Sequence, residues 1–475
     1  MTTTHVEVRP GAYADSVTLL RVSRTAQQLD GVVAAQVAMA TPLNVDVLTG
    51  MGFTVPAGTG ANDLVVALHL TGDDALPAAV AGVDRALAEA GRPAPDGGGA
   101  GAVAPPRTTA AALDRAPGSV VLVSVPGPHA TVEAMDALDA GSDVMIFSDN
   151  VPVEQEVALK QVAAQRSLLV MGPDCGTAVL DGLGLGFANV VEPGPVGLVA
   201  ASGTGCQQVM ALLDHAGVGV RAALGVGGRD LSAPVGGLAT REALRRLDAD
   251  PAVELIVLVS KPPAAEVAER IDRLVATLTT PVEYALLGPD RPDLTAATEA
   301  ALARLGRPVP DWPVHGTARP AYGGHRLRGL FVGGTLATES AQIAGEDAAR
   351  AGHTFVDFGG DEWTRGRAHP MIDPTVRLEH LAAALADPET AVVLLDLVLG
   401  HGAEPDPASV LAPAIAEARV PVVVSVVGTG ADPQDLTAQV DALVGAGAEV
   451  HLSHAGATRR ALALLPADTT TGAAR

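Results

Sequence analysis

Residues 196–208 read VGLVAASGTGCQQ, and residues 328–340 read RGLFVGGTLATES. Each is an apolar run that ends in glycines and small hydroxyl residues and then takes on helical character. A strand followed by a glycine turn and a helix is the unit from which parallel α/β sheets are built. Finding it twice makes the rest of the chain legible. Gly197-Leu198-Val199 aligns with Gly329-Leu330-Phe331, and Gly227-Gly228 with Gly359-Gly360, both at a shift of 132. DADPAVELIVLVS (248–260) then matches LADPETAVVLLDL (385–397), and TPVEYALLG (280–288) matches VPVVVSVVG (420–428). Four matches in order, with a slowly growing offset, indicate two copies of one α/β unit. AHPMIDP (368–374) is an insertion in the second copy.

Composition agrees with buried parallel sheets. Of 475 residues, 48% are apolar and only 2% aromatic, so the core is aliphatic. The net charge is −23, with 54 acidic residues against 31 lysines and arginines. No basic stripe with interleaved aromatics is present, which argues against a nucleic-acid partner. The two cysteines, Cys175 and Cys206, lack zinc-ligand spacing and do not make a disulfide framework, so no metal is expected. MTTTHVEVRP has no signal-peptide core, and no run approaches the ~18 apolar residues of a membrane span. A cytoplasmic chain with no membrane partner is the expectation.

Punctuation by Gly and Pro sets the expected domains. Residues 1–91 form an N-terminal α/β domain, with strands near Val32–Met39 and Leu64–Leu70, and 92–118 a flexible linker. Residues 119–172 hold βα alternation that completes a Rossmann-like region, and 173–288 a flavodoxin-like domain. Residues 289–325 are a Pro-rich linker, 326–466 the second flavodoxin-like domain, and 467–475 a frayed tail. GLGLG (182–186) is not followed by a helix and is discounted as a nucleotide loop.

The glycine turns carry the chemistry. A helix entered through Ser202-Gly203-Thr204 or Gly333-Gly334-Thr335 has free backbone N–H groups at its positive end, and the hydroxyls add donors. These six residues are the expected phosphate-binding set. One such turn alone is as well read as a plain helix cap. Two that converge about a pseudo-twofold axis would aim both dipoles at one multiply charged anion. No GxxxxGK[ST] occurs.

The motifs SVPGPHATVEAMDALDAG, MGPDCGTAV, VGLVAASGTG and ALGVGGRD resemble the alpha subunit of succinyl-CoA synthetase in order and spacing. RGLFVGGTLATES, VDFGGD and AVVLLDLVLGHG resemble the C-terminal domain of its beta subunit. With SVTLL, MIFSDN, GGRDL, SKPP and HPMIDP, the chain is similar to the FdrA family along nearly its whole length. This resemblance implies a Rossmann-like CoA-binding region followed by two flavodoxin-like domains whose paired helices grip phosphate. It also implies a carbamoyltransferase of allantoin catabolism, converting oxalurate and phosphate into oxamate and carbamoyl phosphate. Its small-molecule substrates are phosphate or carbamoyl phosphate, and its partners are other subunits of a hetero-oligomer.

The synthetase's phosphorylated histidine is missing. The matching loop is GPDRPDLTAATEA (288–300), and Ser260-Lys261 stand where a supporting glutamate is expected. The ATP-binding half and the glycine-rich CoA loop are not recognisable, although SVPGPHA matches a CoA-contacting segment, which keeps CoA as a cofactor candidate. An acyl-CoA synthetase and a non-catalytic scaffold are therefore the alternatives. Arg229 and Lys261 are the expected catalytic cations, for the substrate carboxylate and the developing charge, with a surface ion pair as the plain alternative for each. The glycine pairs Gly227-Gly228 and Gly359-Gly360 are expected to border the substrate. His369 and Asp373 are read as a lid or an acid–base pair, with a partner contact as the equal alternative, and Asp357 and Asp361 as caps. His401 is read as a solvated loop histidine with a place facing the site as the alternative, and His454 as a coincidental match.

Overall fold

The computed structural model describes residues 3–466 apart from 13, 15, 61, 91–104, 322 and 365–367. Contacts divide the chain into two units, Met1–Pro105 and Pro106–Arg475.

The first unit runs β1 (Thr3–Arg9), α1 (Ser16–Gln27), β2 (Val32–Met39), α2 (Pro42–Gly50), β3 (Leu64–Leu70) and α3 (Leu76–Ala90). Its sheet is antiparallel in the order β1-β3-β2. The central strand LVVALHL is almost wholly buried because both faces are covered. Leu64, Val66 and Leu68 pack toward α1 and α3, while Val65 and Ala67 meet Leu48 and Phe53 on the other side. Residues 1–91 and 119–172 therefore have separate sheets of different kind. Most of the expected linker, 92–104, and the tail 467–475 lie outside the described residues.

The second unit opens with α4 (Thr109–Leu113), then β4 (Val121–Val123), α5 (Gly127–Asp139), β5 (Val144–Ile146), α6 (Val153–Gln165) and β6 (Val170–Met171). β4, β5 and β6 make a small parallel sheet.

The first repeat follows: β7 (Thr177–Leu180), β8 (Leu183–Gly186), β9 (Val196–Ala201), α7 (Gly203–His215), β10 (Val220–Gly225), α8 (Leu238–Ala249), β11 (Leu255–Ser260), α9 (Ala265–Val275), β12 (Val282–Leu286) and α10 (Leu294–Arg304). The second is β13 (Val314–His315), β14 (Arg326–Phe331), α11 (Gly334–Ala344), β15 (Thr354–Asp357), α12 (Asp361–Thr364), α13 (Thr375–Ala386), β16 (Thr390–Val398), α14 (Pro407–Glu417), β17 (Val422–Val427), α15 (Leu436–Gly445), β18 (Glu449–His451) and α16 (His454–Ala463).

The two six-stranded sheets read β12-β11-β9-β10-β7-β8 and β13-β18-β17-β16-β14-β15. Stripped of antiparallel edges, each places its first strand between its second and third, a doubly wound order. That order has its switch point beside β9 and β14, the strands that feed the glycine turns. GLGLG forms the outer strand of the β7–β8 hairpin. The segment 289–325, expected as a linker, carries α10. Asp293 caps that helix, and Leu294, Ala297, Ala301 and Leu302 recur at helical spacing and are buried, while its prolines flank the helix.

The repeats share one core. Val196, Cys206 and Met210 of the first cluster with Phe331, Leu336 and Val423 of the second. Polar contacts across it obey the same symmetry. In α7, Gln208 donates to Leu452 O, just before α16 (3.1 Å). In α11, Glu339 accepts from Leu294 N at the start of α10 (2.6 Å). Each residue sits six past its helix cap and reaches the last helix of the other repeat.

Candidate functional site

At the C-terminal end of β9 the chain turns at Ser202, whose Oγ accepts the Gly205 N–H (2.9 Å) and caps α7. At the end of β14, Gly333 has no side chain to cap α11. The turn is held from below instead. Asp396, on the neighbouring strand β16, accepts from Val332 N (2.9 Å) and Gly333 N (3.0 Å), and pairs with buried Arg377 (3.0 Å). The first-turn amides of α11 stay free of a side-chain cap.

The two helix starts touch. Ser202 Oγ and Thr335 Oγ1 are 2.5 Å apart and buried. A Cβ on Gly333 would lie 2.6 Å from Thr204 Oγ1. Ser202 and Thr335 thus bind each other and staple the turns, while Gly203, Thr204 and Gly334 are the partly exposed members. The closeness of two positive helix ends favours an oxyanion there.

Lys261 follows β11 and reaches the second turn. Its Nζ is 2.8 Å, and Asp357 Oδ2 2.2 Å, from the point a Cβ on Gly334 would occupy. A side chain at 334 would fill the place where these two groups meet the helix start. Lys261 makes no ion pair or hydrogen bond among the described residues. Asp357 accepts the Gly359 N–H (2.9 Å); burial pushes its carboxyl up to about 6, against the pull of Lys261. Asp174 is open to solvent but walled by protein. That desolvation, with Asp149 and Asp361, raises it to about 7, opposed by Arg229 and Lys261. Both carboxyls therefore titrate near neutrality, where proton transfer is most useful.

Arg229 is committed elsewhere. Its Nη2 donates to Val151 O (2.8 Å) and pairs with Glu156 (3.0 Å). Glu156 belongs to a buried hub in which Lys160 Nζ donates to Glu156, Asp230 and Val226 O, each at 2.8 Å. Gly227 has φ +88°, and a Cβ there would lie 2.5 Å from Pro173 O, so this glycine serves close packing, while Gly228 borders open space. Gly360 follows the Asp357 turn, and Gly359 leaves room for His369, whose Nε2 is 2.7 Å from the point of a missing Cβ. The structure thus brings Gly203, Thr204, Gly333, Gly334, Lys261 and Gly359 together, and sets Arg229 and Gly227 into supporting packing.

Other singled-out residues resolve plainly. Asp373 caps α13 through Thr375 (3.0 Å) and does not pair with His369. His454 is buried with Nε2 near Leu336 O (2.9 Å) and Nδ1 near Ser425 Oγ (2.8 Å); burial pulls it down to about 4. His401 is exposed. Burial raises both cysteine thiols, Cys175 to about 12, which leaves them inert at neutral pH. The sequence reading missed Asp396–Arg377 and the Lys160 hub. A lone Asp inside AVVLLDLVLG, and Glu156 and Lys160 four apart on one helix face, were their signals.

A duplicated α/β fold whose glycine turns meet is the class of fold found here, and part of it matches a CoA-ligase family model. A family model described as CoA-ligase matches residues 330–464, and one described as "AllF, heavy metal-associated domain" matches 1–103. "Uncharacterized protein YahF" of Escherichia coli (strain K12) is 36% identical over 93% of this chain and 95% of its own. The chain belongs to the family of that protein. The succinate–CoA ligase [ADP-forming] alpha subunit of Methanothermobacter thermautotrophicus is 27% identical over 36% of this chain, which spans 58% of that subunit. Among solved structures, PH0766 from Pyrococcus horikoshii OT3 aligns with 71% of this chain and 84% of its own at 15% identity and a TM-score of 0.30. ATP citrate lyase from Methanothrix soehngenii, in complex with citrate and coenzyme A, aligns with 42% of this chain and 37% of its own at 18% identity and a TM-score of 0.32.

The metal that one of these names brings to mind does not fit the residues present. Residues 1–103 contain no cysteine, and no group of three or more His, Cys, Asp or Glu suited to a metal occurs among the described residues. The start of α5, in SVPGPHA, is filled by the chain's own backbone: a Cβ on Gly127 would lie 2.2 Å from Asp149 O. No helix among the described residues is long and apolar enough to cross a membrane.

Proposed function

We propose that this chain carries the phosphate-handling half of a CoA-ligase-type reaction, the reversible transfer of an acyl group to inorganic phosphate. The observation that carries this reading is the contact between the starts of α7 and α11, with Lys261 free beside them. A phosphate oxygen held there attacks the acyl carbonyl carbon. The bond from that carbon to the leaving group breaks, and the leaving group takes up a proton. Charge develops on the carbonyl oxygen and is met by fixed N–H donors and the Lys261 ammonium. Asp357 and Asp174 are the groups suited to supply and recover the proton.

Transfer is direct in this reading. The stretch 288–300, where the synthetase carries its histidine, contains none. Its first residues, 288–292, form a largely exposed turn, and its second half is the capped, buried start of α10, tied to Glu339. The CoA-ligase match and the succinate–CoA ligase relatives favour an acyl-CoA synthetase-like reaction over carbamoyl transfer. The narrower FdrA-type reading, with a carbamoyl acceptor in ureide breakdown, rests on the sequence resemblance alone. In either case partner subunits bring what this chain lacks.

Trapping with hydroxylamine tests both. The chain with its partners should give hydroxamate only when phosphate is present. Product from an acyl-CoA supports the synthetase reading, and product from oxalurate alone supports carbamoyl transfer. Phosphate-independent product, or acid-labile phosphate bound to the protein, would contradict direct transfer.

A further inference from the structure

The inserted segment AHPMIDP delivers a side chain that nothing above assigns. His369 Nδ1 lies 3.2 Å from the Met371 N–H. An amide can only donate, so Nδ1 holds a lone pair and the neutral ring carries its proton on Nε2. The ring packs on Phe187 (centroids 5.5 Å apart), which packs on Phe147 (5.2 Å). This desolvation pulls the imidazole down to about 4, so it stays neutral at physiological pH.

Its Nε2 lies beside the turn at 357–359, next to the chain that enters α11. The point of the missing Gly359 Cβ lies 2.7 Å from His369 Nε2, 2.7 Å from Val332 O and 3.2 Å from Asp357 Oδ1. Val332 directly precedes the second glycine turn. Among the described residues, Nε2 makes no hydrogen bond. Two donors, Nε2–H and the Lys261 ammonium, thus lie near the uncapped start of α11 on different elements, and among the described residues neither makes a hydrogen bond. Unbonded donors beside free helix-start amides mark the place of an acceptor ligand.

We propose that His369 completes the anion site as a neutral donor, its Nε2–H binding an oxygen of the phosphate or acyl phosphate held at the start of α11. This rests on the functional reading above. A neutral donor adds a directed hydrogen bond without adding charge beside Lys261. It also ties recognition to the insertion, the part of the second repeat that the first does not have.

Calorimetric titration of the full chain with inorganic phosphate tests it. His369→Phe keeps a ring against Phe187 and removes the donor; it should weaken phosphate binding about tenfold or more. His369→Gln, which restores an N–H at similar reach, should recover most of that loss. In wild type, the Nε2–H resonance should shift on adding phosphate. Unchanged binding by His369→Phe, or an unmoved resonance while wild type binds phosphate, overturns this inference alone. Absence of phosphate binding by wild type overturns it together with the functional reading. Should His369→Phe fail to fold, the resonance decides.

Discussion

The two glycine turns come from the same duplicated unit and have solved the same problem differently. The first closes itself: Ser202 caps α7 within its own turn. The second gave up its cap. Gly333 is anchored by a carboxylate from the next strand, Asp396, itself held by Arg377. That arrangement uses the amides below the turn and leaves those of α11 free. Lys261 and His369 then gather on this side and not at the Ser202 turn. Of two equivalent helix starts, one is capped by its own serine and the other keeps free amides, which the proposed site uses.

The comparison breaks most severely at Asp396. Asp396→Ala strips acceptors from two buried amides and leaves Arg377 uncompensated, so a loss of about 3–5 kcal/mol is expected in denaturant melts. A loss near zero would mean the turn does not depend on this anchor. Gly334→Ala comes next. The added Cβ collides with Asp357 and Lys261, and phosphate binding should fall roughly 10–100-fold with a small change in Tm. The matching change in the first turn, Gly203→Ala, meets nothing closer than 3.5 Å and should be milder.

The symmetric pair Gln208 and Glu339 sharpens the contrast by pH. Burial pushes Glu339 up to about 8, with its backbone hydrogen bond to Leu294 opposing. Between its ordinary value of 4.5 and about 8, the unfolded chain has released this proton and the folded chain has kept it. Stability from this group therefore falls as pH rises through that window. Glu339→Gln, which copies the Gln of the other repeat, should flatten the slope and be more stable at pH 8 by roughly 1–3 kcal/mol. Equal pH profiles of Tm would show that the group is ionised in the fold. Thr204→Val gives the smallest effect. It removes one partly exposed hydroxyl at the supporting turn, and a loss of phosphate affinity of about two- to fivefold is expected.

Much of this was legible in the chain. Strand–glycine–helix spelling, repeated at a slowly growing shift, announced both the parallel α/β repeat and the two turns, because parallel strands buried on both faces read as unbroken Val/Leu runs. Lys261 and the turn residues followed from strand ends alone. What stayed hidden depends on pairings between distant segments. Ser202 and Thr335 look like two ligand donors until they are seen bonded to each other. Arg229 looks free until Glu156 is placed beside it. The prolines of 289–325 suggest a linker, and only the buried stripe of α10 corrects that. Asp373 and His369 share one motif, yet one caps a helix and the other faces the crevice.

A crystal structure of the chain grown with phosphate tests the central claim most directly. The account predicts a phosphate at the start of α11, within hydrogen-bond distance of the Gly334 amide, Lys261 Nζ and His369 Nε2. Phosphate bound elsewhere, or no phosphate at that turn at concentrations that saturate the calorimetric titration, would contradict it.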